Sequence, residues 1–67
     1  MKKRFLNIRE IEKVVLNADT DIARIMVIKE NHEKVYELEH NYGVVNKVYE
    51  VITNALLEGK QYIEIEL

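Results

Sequence analysis

The chain has no cysteine, no proline, no tryptophan and no serine, and its only glycines are Gly43 and Gly59. Without cysteine there is neither a disulfide nor a thiolate metal site, and the redox compartment leaves no mark on the sequence. Without serine, the hydroxyl nucleophiles besides tyrosine reduce to Thr20 and Thr53, and no histidine or carboxylate stands at a spacing that would activate either one. Two isolated glycines make no phosphate-cradling loop. No stretch approaches the roughly 18 apolar residues of a membrane span. The basic opening Met1-Lys2-Lys3-Arg4 leads into Asn7, Arg9, Glu10, Glu12 and Lys13 rather than into a signal-peptide core. A soluble, cytoplasmic protein is expected. The missing proline, the three arginines and the wealth of Ile, Lys, Asn and Tyr point to an AT-rich coding source, such as a low-GC bacterium or its phages.

What is present suits one small folded domain over residues 1–67. The composition is 48 % hydrophobic and 33 % charged, well above the regime of disorder. A chain this short buries only about 60 % of its unfolded surface, so its stability needs a supplement. With disulfides excluded, self-association is the expected one. The net charge of −2 argues against a general affinity for phosphates, so nucleic acid is not the expected partner.

The clearest pattern lies between residues 43 and 67. On a helical wheel Val44, Val45, Val48, Tyr49, Val51, Ile52, Ala55 and Leu56 share an arc of roughly 160°, opposite Asn46, Lys47, Glu50, Thr53, Asn54 and Glu58. Asn41 suits the N-cap, and Gly59 suits a left-handed closure. Leu57 alone is apolar on the polar side. After Gly59 the period becomes two: Tyr62, Glu64 and Glu66 alternate with Ile63, Ile65 and Leu67, which predicts a strand.

Residues 22–40 read as a hairpin around Asn31 and His32, Asn31 tolerating a positive φ. The register that sets Val27 against Tyr36 and Ile25 against Leu38 gives one apolar face and pairs Arg24 with Glu39 and Ile28 with Val35. It also faces Lys29 with Lys34 and Glu30 with Glu33. Sliding by one residue relieves the charges but sets Val27 and Ile25 against glutamates, so the first register is expected. Met26, Ile28 and Val35 then form a second apolar cluster on the sheet face turned away from the helix. Residues 5–16 suit a strand, with Asn17–Asp21 as the turn into the hairpin; read as a helix, they would be capped by Asn7 with Glu10. The expected fold is α+β, in the order β-β-β-α-β with α-β-β-α-β as the alternative, one long helix lying on one face of a small antiparallel or mixed sheet.

Candidate sites for chemistry dissolve on inspection. His32 and His40 are about 26 Å apart along a strand and about 12 Å apart along a helix, too far to share an ion within one chain. Glu64 and Glu66 stand about 6 to 7 Å apart on one strand face, a spacing compatible with paired carboxylates but equally that of a solvated face. Asp19-Thr20-Asp21 is turn chemistry. No catalytic residue, metal site or cofactor is expected, and the chain is not expected to be an enzyme.

The expected function is therefore that of a small accessory or regulatory protein, homo-oligomeric, binding a protein partner through a sheet face or edge. Met26, Ile28, Val35, Tyr42 and Tyr62 are the candidate contacts, the tyrosines because tyrosine is favoured at binding hot spots. Tyr36 and Tyr49 belong to the core. The alternative is a small nucleic-acid-binding protein that uses Lys2, Lys3, Arg4 and Arg9 with exposed tyrosines for base stacking.

Overall fold

The computed structural model describes residues 3–66. Five strands and one long helix follow in the order β-β-β-β-α-β: β1 (Lys3–Asn7), β2 (Ile11–Ala18), β3 (Ile22–Lys29), β4 (Lys34–Asn41), α1 (Tyr42–Glu58) and β5 (Tyr62–Glu66). The fold is α+β, as expected, and residues 11–18 are a strand. The expected order lacked β1, which is divided from β2 by one 3-10 turn over Ile8–Glu10. Asn7 caps that turn by accepting from the Arg9 backbone N–H at 3.1 Å, so the capping signal is real but serves three residues rather than a helix. A five-residue strand whose partner lies at the far end of the sequence leaves no local signature.

The strands form two antiparallel sheets, β2-β3-β4 and the ribbon β1-β5. Both contribute one face to a single core with α1. Leu6, Ile8, Ala23, Ile25, Val27, Val45, Val48, Ile52, Ala55, Ile63 and Ile65 are buried there, with Leu16, Val35, Tyr36, Leu38 and Tyr49 among the half-buried residues packed against them. Burial along β5 alternates strictly, Ile63 and Ile65 inward and Tyr62, Glu64 and Glu66 outward. Among the described residues no polar or charged side chain is buried.

The helix has the ends that its sequence predicts. Asn41 Oδ1 accepts from the Val44 N–H at 3.0 Å, satisfying one of the amides that a first turn leaves without a partner. At the other end Gly59 sits at φ 72°, its N–H reaching the Leu56 carbonyl at 3.3 Å while Lys60 N–H reaches that of Ala55 at 3.0 Å. This is the Schellman closure, and its left-handed residue is why a glycine stands there.

The hairpin shows how the chain resolves its charge conflict. From Ile22 opposite Asn41 to Val27 opposite Tyr36 the register is the expected one, but Ile28 then pairs with Lys34 and Val35 is left over as a bulge. The slip replaces both like-charge pairs. Lys29 now lies against Glu33, its backbone N–H donating to the Glu33 carbonyl at 3.0 Å and its ammonium 3.2 Å from the carboxylate. The positive φ falls on His32, at 67°, rather than on Asn31. Asn31 serves the turn through its side chain, which accepts from Glu33 N–H at 3.1 Å.

Candidate protein-interaction surface

The bulge also decides what lies on the outer face of the three-stranded sheet. Val35 packs against the core beside Tyr36, so the expected cluster of Met26, Ile28 and Val35 does not form. Val15, cross-strand from Met26, takes its place. Met26, Ile28 and Val15 are half-buried, within a lattice of long charged side chains. Arg24 donates to Glu39 at 2.7 Å and lies 3.8 Å from Glu37, and Lys34 donates to Glu37 at 2.9 Å. The hydrogen bond to Glu39 and the charges of Glu39 and Glu37 raise the Arg24 pKa above its ordinary value. The Lys34 hydrogen bond holds the Glu37 carboxyl below the usual range, against the opposing effect of burial and helped by the charges of Lys34 and Arg24. Glu33, bonded by Lys29 and Asn31, is lowered in the same way.

The ribbon is different. Its register runs without a shift from Lys3 opposite Glu66 to Asn7 opposite Tyr62, so Phe5 shares the outer face with Tyr62, its diagonal neighbour. Phe5 is 67 % exposed and Tyr62 58 %. Tyr42, at the start of α1, is 48 % exposed. The two tyrosines chosen from sequence are thus at the surface, while Tyr36 and Tyr49 are half-buried against the core. Burial raises the Tyr36 pKa, with Arg4 nearby opposing the shift.

Beside β5 runs an apolar groove of about 410 Å³ between Val44, Val48 and Val51 of α1 and Ile65 of the strand. Lys47, Glu64 and Glu66 stand along it. Val51 is 45 % exposed although the helical wheel places it in the buried arc. The signal was available: an apolar arc of 160° is wider than the stripe of about 100° that one packed face requires, and its margins therefore lie open.

The basic residues do not gather into one arm. Lys3 lies 3.9 Å from Glu64, and the Arg4 guanidinium donates to the Val35 carbonyl at 2.7 Å, holding β1 against the bulge of β4. Arg9 is exposed in the 3-10 turn beside Glu10, Lys29 and Glu30, and Lys2 lies outside the described residues. His32 sits in the hairpin turn and His40 near the end of β4, where its Nδ1 accepts from Asn41 N–H at 2.8 Å. Among the described residues no three His, Asp or Glu side chains are gathered to hold a metal ion, and no helix is long and apolar enough to cross a membrane.

Comparison with known proteins gives no match: no family model, no curated protein and no solved structure is detectably similar to this chain.

Proposed function

We propose that this chain is a non-catalytic interaction protein that takes a protein partner through its sheet surface and associates with itself. The observation that carries the reading is the β5 side of the molecule, where the groove lined by Val44, Val48, Val51 and Ile65 adjoins a strand edge. A small core leaves such apolar surface costly unless a contact uses it. Self-association fits the outer faces, where Phe5 and Tyr62 stand largely exposed on the ribbon and half-buried Met26 and Ile28 lie on the hairpin.

The test is capture of partners from native lysate by the unaltered chain and by Val51→Lys and Met26→Lys variants, nuclease-treated throughout, with light scattering on each. Loss of a captured protein in at least one folded variant is expected, as is a mass above the monomer at about 10 µM, in the range where moderate interfaces assemble. A strict monomer would remove self-association from the proposal. Capture unchanged by both substitutions would remove partner binding through these surfaces.

A further inference from the structure

We infer that the open edge of β5 and the groove beside it take an extended segment of another protein, added as a strand, in which basic and aliphatic residues alternate. This deepens the protein-binding reading above and rests on it.

The strand edges of the molecule are not alike. β2 is interrupted by a bulge at Glu12 and carries Lys13 next to it, and β4 is interrupted at Val35, where Arg4 occupies the carbonyl. Bulges and charges of this kind are how edges are kept from pairing. β5 has neither. Its register with β1 is regular throughout, and among the described residues its other edge has no strand partner. A strand added there meets two environments on alternate residues. The inward positions pass below Val44 and Val51 and call for aliphatic side chains; Lys47 on the helical wall disfavours a cation pointing that way. The outward positions lie beside Tyr62, Glu64 and Glu66.

Those carboxylates decide between occupants. If a second copy pairs antiparallel along the full length of β5 with Ile63 and Ile65 inward, Tyr62 falls opposite Glu66 and Glu64 opposite Glu64 of the other copy. The central pair is then carboxylate against carboxylate, an unfavourable cross-strand arrangement. A strand with lysine or arginine outward reverses the sign of that contact. The opposite edge of β5 already shows this chemistry, since β1 places Lys3 across from Glu66 and 3.9 Å from Glu64.

The probes are soluble peptides of about seven residues alternating lysine with valine, the same with glutamate for lysine, and the lysine peptide N-methylated on alternate residues, titrated into the isotopically labelled full chain. The lysine peptide is expected to shift resonances of β5 and of residues 44–51. It should bind at least about tenfold more tightly than the glutamate peptide and weaken between about 50 and about 300 mM salt. A folded Glu64→Lys/Glu66→Lys variant should lose about tenfold in affinity, and N-methylation should abolish binding. Equal binding of acidic and basic peptides, shifts confined to the hairpin, or no binding overturns the inference. So does a dimer whose formation is lost in Val51→Lys, because the occupant is then a second copy. A photo-crosslinking amino acid at Val51, used in native cells, separates the two levels. Crosslinks to a protein alongside failed peptides leave the wider reading standing without this one, whereas no crosslink and no peptide binding removes both.

Discussion

The β3–β4 hairpin and the β1–β5 ribbon are both antiparallel pairs lying on the same core, yet they treat their outer faces in opposite ways. On the hairpin, Arg24, Lys34, Glu37 and Glu39 bond to one another among half-buried aliphatics, and a bulge at Val35 removes the like-charge pairs near the turn. On the ribbon, Phe5 and Tyr62 stand largely in solvent and the outer edge of β5 adjoins an apolar groove. Charge density alone does not distinguish the two. The hairpin links four charged groups into one lattice, whereas on the ribbon Lys3 faces Glu66 and Glu64 from one side and their other side is an open edge. The apolar groove and an unpaired strand edge therefore lie together on the side of the molecule built from the two ends of the described chain.

The widest test of that contrast sets a core position of the three-stranded sheet against the ribbon's outer face. Ile25→Ala, at a site with 0 % exposure, should lower unfolding free energy by about 2–5 kcal/mol in denaturant titrations. Phe5→Ala should stay within about 0.5 kcal/mol. A comparable loss at Phe5 would mean that its ring is packed in solution, and the contrast would break.

The two glycines sharpen the comparison, because they lie at the two ends of α1, where it meets the three-stranded sheet on one side and the ribbon on the other. Gly59→Ala places a side chain at φ 72° and should cost about 1–2 kcal/mol, with amide exchange in β5 accelerating more than in β3. Gly43 has no such conformation, and an added Cβ would meet only Asn41 Oδ1 at an ordinary 3.5 Å. Gly43→Ala should therefore stabilise the chain by about 0.4–1 kcal/mol in thermal unfolding. Opposite signs at the two positions are the result to look for.

The smallest expected effect is the response to pH. Glu33 and Glu37 titrate below their ordinary value when folded, so their contribution is complete above the unfolded carboxylate pKa of about 4.3 and is lost as pH falls through the folded values. Tyr36 is shifted upward by burial, so its contribution holds below about 10 and disappears as pH rises past that point. Unfolding followed by circular dichroism should show a shallow acid limb that Glu37→Gln flattens. An unchanged limb in that variant would mean that the hairpin lattice does not persist in solution.

Much of this architecture is legible in the sequence because it depends on near neighbours. The helix and both of its caps follow from periodicity, Asn41 and Gly59, and the hairpin register follows from its faces. β1 was not legible, since Lys3–Asn7 finds its partner only at Tyr62–Glu66. The bulge was hidden for a different reason. Two registers each satisfied part of the hairpin, and the chain uses the apolar one over most of its length before slipping a residue near the turn, which no single register describes. The candidate surface was legible in part: Tyr42 and Tyr62 are exposed as expected, but Val51 was assigned to the core and Val35 to the outside. Both errors concern which way a side chain at a margin points, a matter settled by three-dimensional packing rather than by spacing.

The pairing of Lys3 with Glu66 bears on how the molecule comes together in time. The two hairpins of the β2–β3–β4 sheet and the helix close short loops, whereas the ribbon must close nearly the whole described chain. The entropy of that closure grows only slowly with length, by about 0.6 kcal/mol per doubling, but it is spent before the ribbon's contacts are gained. The ribbon is thus the natural last step of folding and the first part to open. A newly made chain would carry its hairpin sheet and helix before it possessed the edge at which a partner strand can add.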